Sequence, residues 1–261
     1  MTPEDSGPPR RDRPVALVTG SSRGIGRATA LLFAGRGHDV VIHYRREAEA
    51  AEATAKEARG LGAEALVVHG DLQDADVPPR LLAETADRFG RLDVLVANAA
   101  STAFKPLQDV GARHLDLTMR TVVQSFLLLS QGAVPLMAGR PGSIVAVSGF
   151  DSLRVVANHG LLGAAKAALE QLVRYLAVEL APHDIAVNSV LPGFVDTDSS
   201  HKWADTSHPG GWAAFEAERA PGTIVPPEDI AEVIAFLCSP AGRCIRGQNL
   251  IADAGVTLPF A

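Results

Sequence analysis

The most chemically pointed stretch of the chain is Thr19-Gly20-Ser21-Ser22-Arg23-Gly24-Ile25-Gly26, three glycines in a G-x3-G-x-G spacing. Glycines so placed let the backbone adopt positive φ and approach a bound group closely. A helix starting there would turn free N–H groups and a partial positive charge toward a phosphate. Gly20, Ser22, Arg23, Gly24, Ile25 and Gly26 are therefore candidate contacts for a nucleotide cofactor. The only cysteines, Cys238 and Cys244, have neither the number nor the spacing of a metal site or a disulfide framework, which fits a reducing cytoplasm.

The elements around the turn supply its context. A short apolar run over 15–19 reads as a buried strand, and an amphipathic run over 25–37 reads as the helix that follows. Further strands are expected over 39–44, 65–69, 92–97, 143–148, 186–191 and near 249–252. Helices are expected over 47–61, 81–89, 110–137, 161–180 and 227–237. Strands alternating with helices along the whole length predict a doubly wound, mostly parallel α/β sheet of Rossmann type in one domain. Ligands bind such sheets at the carboxyl ends of the strands, where strand order reverses. Residues 196–226 read as a long irregular loop, with Trp203, Trp212 and Phe215 among Gly, Pro, Ser and Asp, and are expected to act as a lid over a substrate pocket.

Composition narrows the function classes. A chain that is 47% hydrophobic and 21% charged is an ordinary globular protein. The net charge of -6 argues against a sequence-independent hold on nucleic acid or anionic membrane, both of which need clustered Lys and Arg. No stretch reaches the ~18 uninterrupted apolar residues of a spanning helix. Residues 1–13 (MTPEDSGPPRRDR) mix charge with proline and contain no apolar run, so a disordered tail rather than a signal peptide is expected.

From about Val15 to about Gly255 the chain resembles the short-chain dehydrogenase/reductase family, whose glycine turn has this spacing. Asp71-Leu72 is similar to the family's adenine clamp. Asn98-Ala99-Ala100 is similar to its Asn-Asn-Ala-Gly turn, with Ala97 in place of the first Asn. Pro192-Gly193 with Val195 and Thr197 resembles its nicotinamide-side motif. NAD sites generally carry an acidic residue about twenty residues beyond the glycine turn, whereas NADP sites place a basic one there. The matching place holds His43, Tyr44, Arg45 and Arg46, with Arg23 in the turn itself. A guanidinium can pair bidentately with a 2'-phosphate, so NADP(H) is the expected cofactor.

The resemblance assigns Lys166 to the family's lysine, which binds the nicotinamide ribose and in the family lowers the pKa of a tyrosine four residues before it. Leu162 stands at that place, and the only tyrosines are Tyr44 and Tyr175. The family's serine falls at Gly149 or its neighbour Ser148, with Ser152 a weaker candidate, and its helical asparagine falls at Val122. A subgroup, the third type of enoyl-acyl-carrier-protein reductase, carries its tyrosine seven residues before the lysine. The chain is also similar to that subgroup in Arg174-Tyr175-Leu176-Ala177-Val178-Glu179-Leu180 and in Arg246-Gly247-Gln248. That place holds His159, which can share a helix face with Lys166 because seven residues make nearly two turns.

The catalytic candidates are thus His159, Lys166 and Ser148. An NADPH-dependent reductase of a ketone or conjugated enone, in polyketide or other secondary metabolism, is the leading expectation, because such a substrate can itself take up developing charge. A non-redox cyclase, isomerase or dehydratase on the same fold, or a non-catalytic NADP-binding subunit, is the alternative. The resemblance implies a small-molecule or carrier-protein-bound substrate and a homodimer or homotetramer.

Overall fold

In the strand β1 (Val15–Val18), Val15 and Leu17 enter one apolar core while Ala16 and Val18 enter a second. Side chains alternate across a strand, so a run buried throughout belongs to a sheet covered on both faces. A computed structural model describes residues 13–258 and shows that sheet. In chain order β1 is followed by α1 (Gly24–Gly35), β2 (Asp39–Tyr44), α2 (Ala48–Gly60), β3 (Ala65–His69), α3 (Val77–Phe89), β4 (Val94–Ala97), α4 (Ala112–Met119) and α5 (Ser125–Met137). Then come β5 (Gly142–Val147), α6 (Gly160–Glu179), β6 (Ile185–Pro192), β7 (Phe194–Val195), α7 (Asp198–Ser207), α8 (Gly211–Ala217), β8 (Ile224–Val225), α9 (Pro227–Leu237) and β9 (Asn249–Ala252).

Seven parallel strands lie in the order β3-β2-β1-β4-β5-β6-β9. Phe33 of α1, Ala51, Ala55 and Ala58 of α2, and Ile230 and Ile234 of α9 pack on one face. Leu81 and Leu82 of α3, Phe126 and Leu129 of α5, and Leu169 and Val173 of α6 pack on the other. Strand order reverses between β1 and β4, so the crevice lies at their carboxyl ends, where the glycine turn and Asn98 are. The doubly wound α/β architecture read from the alternation is the observed one.

Several boundaries differ, each for a local reason. α3 begins at Val77, ahead of the expected 81, because Pro78 and Pro79 sit in its first turn, where no N–H is needed. The helix expected over 110–137 passes through a π-helical turn, Arg120–Gln124, between α4 and α5. There the hydroxyls of Thr121 and Ser125 donate to carbonyls four residues back, Leu117 O at 2.8 Å and Thr121 O at 2.5 Å, a pattern that bends helices.

The irregular loop expected over 196–226 is instead α7, α8 and the parallel pair β7–β8. Its Thr and Gly residues mark helix ends. Thr197 Oγ1 accepts from Ser200 N at 3.3 Å to open α7, and Gly210 and Gly211, at φ +83 and +69, turn the chain into α8. Trp203 and Phe215 are buried with Phe194 in a third small cluster, and Trp212 packs against them. Of the tail expected over 1–13, residues 1–12 lie outside the described residues. Arg13 is anchored, donating to Gly37 O at 3.1 Å and Gly62 O at 2.7 Å. Among the described residues no helix is long and apolar enough to cross a membrane.

At the amino ends of the strands, Asp93 Oδ2 accepts from Val15 N at 2.8 Å and from Arg91 Nε at 2.9 Å, while Oδ1 accepts from Arg91 Nη2 at 2.6 Å. Removing the carboxylate leaves a buried N–H and a half-buried guanidinium without it, so Asp93→Ala is expected to cost about 2 kcal/mol. Urea unfolding should show a lower midpoint at unchanged slope. An unchanged midpoint would show that this clasp contributes nothing.

Candidate functional site

The turn after β1 is built by what is missing from Gly26. A Cβ there would lie 2.3 Å from Gly20 O and 2.6 Å from Asn98 Nδ2. The turn therefore closes on itself against the Asn98 amide, which donates to Thr19 O at 2.9 Å and Gly20 O at 3.1 Å. Thr19 Oγ1 accepts from Asn98 N at 3.0 Å and Ala99 N at 3.1 Å, tying the ends of β1 and β4 together. Gly20 and Gly24 have φ of +65 and +54, the left-handed region that glycine enters without strain. α1 starts at Gly24 with no side chain capping it and no acidic residue in its first turn, so its N–H groups are open to an anion.

His43 braces the turn from the neighbouring strand. Gly20 N donates to Nδ1 at 3.2 Å, so the proton is on Nε2, which donates to Gly70 O at 3.0 Å. Burial drives the His43 pKa down to about 4, which keeps this neutral tautomer in place. The sequence placed His43 beside the cofactor-selecting residues, and its bracing role was not visible there.

One cleft of about 440 Å³ gathers nearly all the candidates. At one end lie Gly20, Ser22, Arg23, Gly24 and Ile25, with Tyr44, Arg45 and Arg46 at the end of β2. Asp71, Leu72, Asn98 and Ala99 continue the wall, and Lys166, Ser148 and His159 stand with Pro192, Gly193, Val195 and Thr197 at the other end. Gly26 lies behind the wall, as its packing requires, and Ser152 also stays out of it. Arg45 Nη1 is 3.5 Å from Ser101 Oγ and 4.0 Å from Asp71 Oδ1, Arg46 next to it is exposed, and Arg23, which also lines the cleft, turns its Nη1 to Asp198 Oδ2 at 3.3 Å. Gly193 admits no side chain either, since a Cβ would meet Asp253 Cα at 2.8 Å. Thr197 lies against Gly24, which brings the start of α7 over the turn.

Lys166 is buried on α6, and its Nζ donates to Val147 O. Burial lowers its pKa to about 8, against the opposing pull of Asp151 and Glu170. Leu162 lines the cleft four residues earlier, Tyr44 lies at the opposite end, and Tyr175 is exposed on α6 outside the cleft. Val122 is buried in the core within the π-helical turn.

Three candidates sit differently from expectation. Ser148, expected to bind a substrate oxygen, donates its hydroxyl to Glu170 Oε1 at 2.5 Å, because that buried carboxylate faces the strand end and needs donors. Ser152 closes its own turn on Gly149 O at 3.0 Å. His159 stands at the N-cap of α6 rather than inside it, and its Nδ1 faces Asp151 Oδ2 at 3.2 Å. Asp151 and Glu170 are the site residues that sequence reasoning missed. Glu170 carries a signal, an acidic side chain one turn past Lys166 on an apolar helix face. Asp151 carries none that a linear reading shows.

The sequence profile of a family described as enoyl-(acyl carrier protein) reductase matches residues 20–257. The chain is 39% identical over 252 residues to 1-cyclohexenylcarbonyl-CoA reductase of Streptomyces collinus, a match covering 94% of this chain and 88% of that protein. It is 30% identical over 254 residues to versicolorin reductase 1 of Aspergillus parasiticus, covering 94% and 97%. A solved short-chain dehydrogenase of Burkholderia cenocepacia in complex with NADP superimposes with a TM-score of 0.84 at 34% identity, covering 94% of this chain and 98% of that one.

The His43 geometry predicts an acid-sensitive turn. Because the folded pKa lies below the ordinary 6.5, the stability it lends is full above about pH 6.5 and is lost as pH falls toward about 4. The loss at the lower end is on the order of 3 kcal/mol. Urea midpoints across this window should fall more steeply in the wild type than in His43→Gln; parallel curves would contradict the assignment.

Proposed function

The chain belongs to the short-chain dehydrogenase/reductase family of oxidoreductases, and on that premise we propose that it is an NADPH-dependent reductase of a ketone or conjugated enone in secondary metabolism, working without the family's usual tyrosine acid. The observation that carries the reading is the convergence, in one cleft, of a tightly closed glycine-rich turn, the side chains of Arg45 and Arg46, and a buried lysine.

The cradle fits the whole dinucleotide. Open N–H groups at the start of α1 suit the pyrophosphate. Arg45 and Arg46 suit a 2'-phosphate, which an acidic residue in their place would repel, and Arg23 lines the same cleft. Asp71 and Leu72 suit the adenine, and Asn98 and Ala99 continue that wall toward Lys166, whose ammonium would donate to the ribose hydroxyls. Pro192, Gly193, Val195 and Thr197 bound the nicotinamide end. NADPH, when bound, supplies a hydride.

The substrate class follows from chemistry and from the relatives. The name of the Streptomyces relative's substrate specifies a carbonyl conjugated with a ring double bond. On hydride addition such a group spreads negative charge onto oxygen as an enolate, so less is asked of an enzyme acid. Leu162 in place of a hydroxyl acid is consistent with a substrate of that kind. The α7–α8 segment, whose first turn lines the cleft, forms the substrate side and serves as the lid.

Incubation with C4-deuterated NADPH and either 1-cyclohexenylcarbonyl-CoA or tetrahydroxynaphthalene is expected to move deuterium into product. The Arg45→Ala/Arg46→Ala double variant should raise the KM for NADPH by about 30-fold, the loss of roughly 2 kcal/mol of charge-assisted hydrogen bonding, and leave that for NADH nearly unchanged. Oxidation of NADPH by no probe, or an equal loss for both nucleotides, would contradict the reading.

A further inference from the structure

Gly149 is one of the two residues, with its neighbour Ser148, at which the family's serine falls, and the structure shows what its missing side chain admits. A Cβ at Gly149 would lie 2.4 Å from Asp151 Oδ1, so the Asp151 carboxylate fills the space that a side chain would take. Asp151 lies on a short 3-10 turn, Phe150–Ser152, and its side chain is only 6% exposed. α6 holds that turn closely, since a Cβ at Gly163 would be 2.4 Å from Asp151 O.

Asp151 Oδ2 is 3.2 Å from His159 Nδ1. The imidazole is stacked on Phe104, with centroids 5.0 Å apart and planes at 18°, and meets the Trp203 ring edgewise at 5.4 Å. The ring is thus clamped on two sides and oriented by a carboxylate on a third. Its other nitrogen, Nε2, is buried and has no hydrogen-bond partner. A buried polar atom left so costs about 1–3 kcal/mol unless something binds it. His159 lines the same cleft as Lys166, and Asp151 is close enough to Lys166 to act on its charge.

We propose that Asp151 and His159 form a carboxylate–imidazole couple that delivers the proton in reduction, with His159 Nε2–H as the donor and Asp151 as the positioning residue; the proposal rests on the reductase reading above. Gly149, Asp151 and His159 then form one coordinated exchange for a serine and a tyrosine. In the step, a hydride taken from NADPH, leaving NADP⁺, bonds to the electrophilic carbon. The π pair of the substrate moves to its carbonyl oxygen, directly or through conjugation. That oxygen takes the Nε2 proton as the N–H bond breaks, leaving a neutral imidazole with its Nδ1–H still donated to Asp151. Solvent returns the proton after product leaves. The carboxylate holds the ring through its Nδ1, which fixes the direction in which Nε2 can give a proton.

The test uses the full chain with 1-cyclohexenylcarbonyl-CoA and tetrahydroxynaphthalene as probes. His159→Gln is expected to lower kcat by about 100-fold and Asp151→Asn by about tenfold, with KM changing little, as for loss of a general acid and of its orienting partner. His159→Tyr, which returns a hydroxyl acid to that residue, should recover part of the loss. Nitrogen-15 spectra of the wild-type ring give a readout independent of turnover and of variant folding, and should show Nδ1 protonated. Hydride transfer that persists within about threefold in both His159→Gln and Asp151→Asn, or an unprotonated Nδ1, overturns the couple alone. A wild-type protein that reduces neither probe overturns the reductase reading beneath it.

Discussion

The site depends on how the side-chain amide of Asn98 holds the backbone of the glycine turn. It donates to both Thr19 O and Gly20 O, in the space that a Cβ on Gly26 would need. Those contacts join the carboxyl ends of β1 and β4, the two parallel strands between which the strand order reverses. Because the turn is pinned there, α1 begins with its N–H groups uncapped and facing the cleft. Neutral His43 supports the same turn from β2, and Thr197 presses on it from the start of α7. The turn is thus built from backbone and small side chains, and in the proposed reading the charged residues beside it select among nucleotides rather than create the site.

At the opposite end, the chemistry is arranged by buried carboxylates. Glu170 takes the Ser148 hydroxyl and also accepts from Asn249 Nδ2 at 3.1 Å, so that serine is tied to the fold. Asp151 enters the space open at Gly149 and reaches His159. Lys166 lies between these two acids, and their negative charge offsets part of the penalty for burying its ammonium. The aromatic cluster of Trp203, Phe215 and Phe194 joins α7 and α8 to the β7–β8 pair, and Trp203 Nε1 donates to Ala157 O at 2.9 Å just before the histidine. The α7–α8 segment is therefore tied to the segment that carries the imidazole.

What was legible in the sequence had short-range causes. Gly20, Gly24 and Gly26 could be read because backbone geometry itself demands glycine there, and the strands because unbroken apolar runs bounded by turn residues are the mark of a sheet covered on both faces. Arg45 and Arg46 could be placed because the end of β2 follows the turn at a set distance. The Asp151–His159 contact could not be read, since it depends on a 3-10 turn bringing an acidic side chain back onto a helix N-cap. The bond from Ser148 to Glu170 could not be read because the two lie 22 residues apart, on β5's end and on α6. The helices within 196–226 were hidden because Thr, Gly and Ser begin and end helices with the same residues that make loops.

The reading of the cleft stands or falls on the nucleotide. Calorimetric titration of the wild-type protein with NADPH and with NADH tests it most directly. One site per chain is predicted, with NADPH bound at least about tenfold more tightly, a difference of about 1.4 kcal/mol. Binding of neither nucleotide, or tighter binding of NADH, would contradict it.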